Sequence, residues 1–453
     1  TGYNPIKVSA AYFCQDAFLN QLGVSPTFNL LTSVMDDMRP ENKYLHLMDE
    51  QEAITKAQAL LNRPGDANVS PLAVYRHAAK ADSVQQRRPN VVLIMMESMS
   101  AKFMKHFGQS ETLTPFLDSL YTRSISFRNF YSAGIHTNHG LYATLYSFPA
   151  MMKRNLMKGS VIPRYSGLPT VLKENGYYNL FFMTHEGQYD NMNAFFRTNG
   201  YDEVFSQEDY PVDKVVNSFG VQDDFLYDYA IPVLNQRAAT GQPFFATLLS
   251  ISNHPPYVIP PFFHPKTSEP EMQIVEYADW ALRQFFEEAR KQPWFDNTIF
   301  VLEGDHGKLV GDAECELPES YNHIPLMIYS SRIQPEEKTA FGGQVDIQPT
   351  ILGLLNIDYL QNNFGVDLLK EERPCMFYTA DNMVVGRNDT LLYLYNYETQ
   401  QELTYDIGNG KLNAVPMDDS FFPLKEYSFS MLQSAEFLVK HGKTLNSIPF
   451  TQQ

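Results

Sequence analysis

Three cysteines in 453 residues, Cys14, Cys315 and Cys375, are too few, too scattered and odd in number for a disulfide framework or a cysteine-ligated zinc site. They read as incidental thiols and leave the redox compartment open. Long hydrophobic runs are also missing. The longest, Val91-Val92-Leu93-Ile94-Met95-Met96, is strand-sized and far below the ~20 residues that a membrane-spanning helix needs. No signal-peptide pattern is visible. The chain opens on Thr1-Gly2-Tyr3-Asn4-Pro5 and is expected to be part of a longer protein. Positive charge is scarce too: 35 Lys and Arg against 52 Asp and Glu give a net charge of −17. That argues against nucleic acid as a partner and against broad electrostatic docking on an anionic membrane. A locally basic pocket stays compatible with this balance. There are no internal repeats and no low-complexity tracts.

What remains is a chain that is 44% hydrophobic and 19% charged, enough to bury one large core with an appendage. Residues 1–88 read as helical and irregular, with a helix-forming stretch from Asp49 to Leu61 closed by Arg63-Pro64-Gly65-Asp66. From Pro89 the texture changes to short apolar strands alternating with helical patterns. Strands are predicted at Asn90–Met96, Tyr177–Met183, Phe244–Ser250, Thr298–Leu302 and Ile324–Tyr329, and Ile125–Tyr131 is a further apolar stretch. Helices are predicted at Thr114–Thr122, Leu168–Glu174, Glu271–Arg290 and Gln348–Leu355. Such alternation implies an α/β fold with a mainly parallel sheet covered on both faces. Beyond Arg373 the segments shorten (Met376–Thr379, Leu391–Tyr395, Glu402–Tyr405) and mark a small C-terminal subdomain. The expected division is 1–88, 89–372 and 373–453.

In open α/β sheets ligands gather at the carboxyl ends of the strands. Here those ends carry Glu97, then Thr184-His185-Glu186-Gly187, then Ser252-Asn253-His254-Pro255-Pro256, then Glu303-Gly304-Asp305-His306-Gly307. A carboxylate from one strand and an Asp-His pair from another supply the oxygen and nitrogen ligands that suit a divalent cation such as Mn or Zn. Each alone would pass as a helix cap or a surface ion-pair partner; the repetition at strand ends favours a site. The segment Gly134-Ile135-His136-Thr137-Asn138-His139-Gly140 precedes a helix-like Leu141–Tyr146. A Thr137 hydroxyl there meets the free amides of a helix N-terminus, which favour an anionic phosphoryl group. Metal coordination would lower its pKa toward that of a usable nucleophile. A lone Thr would instead be an ordinary N-cap. His136 and His139 flank the hydroxyl as turn or substrate residues, and Arg197 reads as a solvated helix arginine.

These elements, in this order and followed by His323-Ile324-Pro325 and Val345-Asp346-Ile347-Gln348-Pro349-Thr350-Ile351-Leu352, resemble the sulfatase-like branch of the alkaline phosphatase superfamily. Within that branch they look most like lipoteichoic-acid-synthase-like phosphoglycerol transferases, over residues 89–372. The resemblance implies a sandwich with a central mainly parallel sheet flanked by helices, plus a small C-terminal α+β subdomain. It implies that Glu97, Thr137, Asp305 and His306 ligate one divalent cation, Mn in first place with Zn and Mg as alternatives, and that Thr137 is the nucleophile. His185 and His254 would contact the transferred head group, with Asp190, Asn191 and His323 as further substrate contacts. Tyr189-Asp190-Asn191-Met192 departs from the Trp- and Arg-containing loop of the synthases. Ordinary sulfatases build formylglycine from a Cys or Ser in a Cys/Ser-x-Pro-x-Arg context, which is absent here; Thr137 stands in its place. The implied partners are a phospholipid head-group donor and a glycan, another hydroxyl or water as acceptor. The implied location is the extracytoplasmic face of the bacterial cytoplasmic membrane, this chain being the ectodomain beyond an N-terminal anchor. Phosphoethanolamine transfer, phosphodiester hydrolysis and an inactive scaffold on the same fold are the alternatives.

Overall fold

The computed structural model describes residues 44–61, 75–78, 88–158, 161–408 and 410–446, together with Ser25 and Thr27. Cys14, the expected turn at Arg63-Pro64-Gly65-Asp66 and most of the N-terminal 43 residues lie outside the described residues.

In chain order the helices are α1 (Glu50–Leu61), α2 (Pro115–Tyr121), α3 (Thr137–Tyr146), α4 (Leu168–Glu174), α5 (Met192–Thr198), α6 (Asp223–Ala238), α7 (Pro270–Ala289), α8 (Ile347–Leu354) and α9 (Phe422–Lys440). The strands of the central sheet are β2 (Asn90–Met96), β3 (Ile125–Tyr131), β4 (Tyr178–Met183), β5 (Glu203–Phe205), β6 (Phe244–Leu249), β7 (Thr298–Gly304), β8 (Leu326–Tyr329) and β9 (Glu336–Gly343). The short β1 (Tyr75–Ala78) pairs antiparallel with β10 (Tyr359–Asn362) elsewhere. The central order is β5-β4-β6-β2-β7-β8-β3-β9. All neighbours are parallel except β8, which runs against both β7 and β3.

The apolar run that forms β2 is buried at every position because both faces of the sheet are covered. Val91, Leu93 and Met95 enter one core, with residues from α3, α4, α5 and α8. Val92, Ile94 and Met96 enter the other, with residues from α2, α6 and α7. This alternation is the period of two that a strand imposes on its side chains. Helix α2 opens on Pro115, and its free Phe116 and Leu117 amides each donate to the Asp279 carboxylate of α7 at 2.9 Å. The two helices are thereby fixed to each other on one face.

The C-terminal unit is a five-stranded antiparallel meander, β11 (Met376–Thr379), β12 (Met383–Arg387), β13 (Leu391–Asn396), β14 (Gln401–Gly408) and β15 (Lys411–Ala414), with α9 packed on it. Helix α1 lies along α9, tied by Lys56–Glu426 at 2.7 Å and Lys440–Glu50 at 3.0 Å. The meander is knitted into the central domain. Tyr378 stacks on Tyr131 with centroids 5.4 Å apart, and the Thr379 amide donates to the Ala133 carbonyl at 2.9 Å. Its first strand thus braces the loop that leads to Thr137.

The fold class is the expected one, and most predicted elements recur with ends shifted by a residue or two; the strand expected at Glu402–Tyr405 runs on to Gly408, and the helix expected at Leu141–Tyr146 already starts at Thr137. Two helices gave no sequence signal. Helix α9 is buried at every position from Tyr427 to Glu436, polar residues included, so no apolar stripe stands out. Helix α6 carries Pro232 in its interior, which reads as a breaker.

Candidate active site

Strands β2 and β7 are parallel neighbours with Met96 opposite Gly304, so the next residues of both chains emerge side by side. This register brings Glu97 and Asp305 together. The Asp305 amide donates to the Met96 carbonyl at 3.0 Å, and Asp305 Oδ1 accepts the amides of Ser98 at 2.8 Å and His306 at 2.7 Å. Glu97 is held by the Ser98 hydroxyl, which donates to Oε1 at 2.6 Å, while its own amide donates to Ser250 Oγ at 3.0 Å. Asn253 clamps the same turn, its amide group donating to the carbonyls of Glu97 and Ser98 at 3.1 Å each.

Thr137 comes from farther away, since β3 is separated from β2 by two strands. Its loop reaches the cluster because α3 starts at Thr137 and its first turn lies directly on the end of β7. A Cβ on Gly140 would stand 2.3 Å from the Asp305 carbonyl oxygen, so only glycine permits this approach. Gln344 locks the contact from the other side. It accepts from the Ala133 amide at 2.9 Å and donates to the carbonyls of Gly304 and Asp305 at 3.1 and 2.7 Å. As a result the Thr137 hydroxyl lies 3.4 Å from Glu97 Oε2, at the N-terminus of a ten-residue helix.

The ligand atoms of Glu97, Asp305 and His306 all fall within 4.8 Å of one another. His306 Nε2 is 3.8 Å from Glu97 Oε1 and 3.6 Å from Asp305 Oδ2. Its Nδ1 lies 2.7 Å from the Gly307 carbonyl, which can only accept, so the proton sits on Nδ1 and Nε2 presents a lone pair to the carboxylates. Both carboxylates are buried, and Asp305 Oδ2 has no hydrogen-bond partner among the described residues. Burial and the Asp305 charge push the Glu97 carboxyl well above the usual carboxylate range. Two buried carboxylates, an orphaned oxygen and an imidazole lone pair converging on one point form a donor set that a divalent cation would satisfy.

Two more expected residues join the rim. His254 follows β6, is half-buried, and its Nδ1 donates to the Pro255 carbonyl at 2.6 Å. Burial lowers its pKa, and the neighbouring His306 adds to the effect. His185 follows β4, is fully buried, and burial lowers its pKa to about 4. Its Nδ1 faces the Glu186 carbonyl at 3.2 Å. Both imidazoles are therefore neutral at pH 7 with Nε2 as an acceptor. Asp190 and Asn191 form the adjoining loop: Asp190 Oδ2 accepts from Asn138 Nδ2 at 3.3 Å, next to Thr137, while Asn191 donates to the Met157 carbonyl at 3.2 Å. His323 is placed differently. Its Nε2 donates to the Arg128 carbonyl at 2.8 Å, its Nδ1 faces Glu319 at 3.9 Å, and its ring stacks on Tyr131. The ring is taken up by these neighbours, and no contact with Glu97 or Asp305 is seen among the described residues. Arg197 is turned to Asn193 and the Val204 carbonyl, a local tie rather than a solvated arginine.

The model of the sulfatase family matches residues 89–357, more than half of the chain and the span that contains this cluster. The chain belongs to the sulfatase family. Among curated proteins it is similar to lipoteichoic acid synthase 2 of Bacillus subtilis, 24% identical over an alignment of 315 residues that covers 62% of this chain and 47% of that protein. It is also similar to lipoteichoic acid synthase 1 of the same organism, 25% identical over 350 residues, 71% of this chain and 53% of that one. The chain thus spans about half the length of these relatives. A solved protein of the alkaline phosphatase superfamily from Vibrio parahaemolyticus superposes with a TM-score of 0.79 at 25% identity, covering 90% of this chain and 100% of that one. The lipoteichoic acid synthase of Listeria monocytogenes shares the fold, with a TM-score of 0.68 at 19% identity over 86% of this chain and 98% of that one. The family resemblance read from the motifs is what these likenesses report.

Within this sulfatase-family site, several contributors had no role assigned from sequence. Asn253 lay inside a recognised motif yet carries no charge to mark it. Gln344 sits one residue before the Val345–Leu352 signature and acts only through backbone groups distant in sequence. Lys308 reaches Asn253 Oδ1 at 2.8 Å and the Tyr257 hydroxyl at 3.1 Å. His136 is bound through Nε2 to Asp381 of the C-terminal unit at 2.7 Å, and His139 is fully buried, its pKa lowered to about 3 by burial. No helix among the described residues is long and apolar enough to cross a membrane.

Proposed function

We propose that this domain transfers a phosphoglycerol-type head group from a phospholipid to a hydroxyl acceptor through a phosphothreonine at Thr137. The observation that carries the reading is the Thr137 hydroxyl 3.4 Å from Glu97, at a helix N-terminus and beside the Glu97–Asp305–His306 cluster. The similarity to proteins named lipoteichoic acid synthases supports the substrate class. Glu97, Thr137, Asp305 and His306 would hold one divalent cation, Mn in first place with Zn and Mg as alternatives. When bound it supplies positive charge against the nucleophilic oxygen and a non-bridging phosphoryl oxygen.

The chain's own groups do the rest. Thr137 Oγ1 forms a bond to phosphorus while the bond from phosphorus to the diacylglycerol oxygen breaks. The first-turn amides of α3 stabilise the extra charge of that transition state. The threonine proton passes to the Nε2 lone pair of His254, which returns it to the departing oxygen. His185 Nε2 accepts a hydroxyl of the head group and orients it. In the second half, an acceptor hydroxyl or water gives its proton to His254 Nε2 and displaces Thr137 from phosphorus, and the imidazole returns that proton to Thr137 Oγ1. His323 has no part in this scheme. The domain would work on the extracytoplasmic side of a bacterial membrane, where such lipids are accessible.

The test is mass spectrometry of lipid and protein after incubation with mixed phospholipids and Mn. Diacylglycerol and a phosphorylated Thr137 peptide are expected, both lost in Thr137→Ala. Full turnover by that variant would refute the covalent step.

A further inference from the structure

One charged side chain at this site is foreshadowed by none of the motifs. Lys158 lies in the stretch that follows α3, and its Nζ sits 2.7 Å from Asp190 Oδ1. The other Asp190 oxygen takes the Asn138 amide at 3.3 Å, so a continuous chain runs from Lys158 through Asp190 to the residue beside Thr137. The pairing is built into the backbone. Asp190 and Asn191 are consecutive non-glycine residues in the left-handed region, at φ 49° and 65°, a strained pair that persists only when its surroundings impose it. Asn191 is what imposes it on the Lys158 side, through its bond to the Met157 carbonyl at 3.2 Å. The loop overlooks the acidic cluster: the Tyr189 phenol is pushed up to about 12 by burial and then by Asp190, Glu97 and Asp305. The Tyr189 ring in turn rests on His185, with centroids 4.6 Å apart.

Two features of this wall speak to what it receives. Asn138 must turn its Nδ2 to the Asp190 carboxylate, which buries its Oδ1 without a partner among the described residues and fixes the carboxylate in place. The Asp190 charge, which would otherwise draw an ammonium group, is matched by Lys158. A hydroxyl can donate to Asp190 and accept from Lys158 at the same time. An ammonium group can only donate, and it would meet the lysine charge head on.

Building on the head-group-transfer reading, we infer that Lys158, Asp190 and Asn138 select an uncharged polyhydroxyl group on the phosphorus. Lys158 is the element that disfavours a cationic amino-alcohol. It is a specificity residue, half-exposed, and it bonds neither Thr137 nor the acidic cluster. Because the ion pair is open to solvent, its removal changes selectivity by a modest factor, about fivefold.

The experiment offers the full chain, with Mn, vesicles containing equal amounts of phosphatidylglycerol and phosphatidylethanolamine, and follows each head-group product by mass spectrometry. The unaltered protein should prefer the glycerol donor. Lys158→Met, which keeps the alkyl stem, should shift the ratio about fivefold toward ethanolamine with the melting temperature unchanged. Asp190→Asn should slow both donors without that reversal. An unchanged ratio in Lys158→Met overturns the selectivity while leaving transfer intact; a native preference for ethanolamine overturns both the selectivity and the phosphoglycerol reading. If the unaltered protein uses neither donor, the transfer reading fails and takes this one with it.

Discussion

Replacing Glu97 by Gln should raise the melting temperature of the metal-free protein and abolish its response to divalent cations. Glu97 and Asp305 are 1% and 0% exposed, and their oxygens lie within 4.8 Å. At an effective dielectric of ~20, two unit charges at that separation repel by about 3.5 kcal/mol. The metal-free protein escapes part of this by protonating Glu97, whose pKa is raised by burial and by Asp305. The Glu97→Gln substitution would remove the repulsion and offer Asp305 Oδ2, now without a partner, an N–H donor. A gain of about 1 to 3 kcal/mol is therefore expected. At about 2.1 cal/mol/K per residue, a chain of this length unfolds with about 1 kcal/mol/K of entropy, so the gain is about 1–3 °C. A cation at a hundred times its Kd should stabilise the unaltered protein by about 2.7 kcal/mol, a similar upward shift, and the variant should lose it. Scanning calorimetry in chelator and in Mn reads both quantities. The pH dependence adds a sign. With its folded pKa above the ordinary 4.5, Glu97 holds a proton more tightly in the folded chain. Metal-free stability should therefore fall as pH rises above that value, and the amide variant should not show this fall. A lower melting point for Glu97→Gln in chelator, or an undiminished Mn shift, would refute the idea that these side chains form a cation site.

Thr137→Ser should keep a measurable fraction of turnover and Thr137→Ala should lose several orders of magnitude, about 10³-fold or more, read by product release from phosphatidylglycerol vesicles. Gly140→Ala drives a methyl group to 2.3 Å from the Asp305 carbonyl and 2.9 Å from Gln344 Nε2. The resulting displacement of Thr137 should cost about a hundredfold in kcat with a smaller loss of stability. Gln344→Leu removes three hydrogen bonds at about 1 kcal/mol each, so a drop of about 3 °C in calorimetry should accompany its slower turnover. His185, with a folded pKa of about 4 against 6.5 unfolded, should make stability fall as pH drops below about 6.5 and level off near 4. A His185→Gln variant should flatten that window by up to about 3 kcal/mol, measured by denaturant titration at each pH.

How much of this was legible in the sequence depended on whether a residue's signal is local. The strand at Asn90–Met96 and the carboxylate after it are written in consecutive letters, as is the Asp305–His306 pair. The turn of the chain through Thr137 is equally visible as a polar segment before a helix. His323 looked the same as the other histidines, and only its packing against Tyr131, Arg128 and Glu319 separates it from them. Helix α9 escaped notice because full burial erases the periodicity by which helices are read.

The sequence by itself determined the class of fold and the chemistry available at the strand ends, because strand periodicity and side-chain identity are properties of short segments. Only the tertiary structure decided which of those ends meet. Parallel register fixes Glu97 beside Asp305, the space at Gly140 admits Thr137 to the same corner, and Gln344 holds the two together. It also brought Lys158 to Asp190 across a gap of 32 positions. Contacts of that kind depend on distance in space, which no local pattern of residues records.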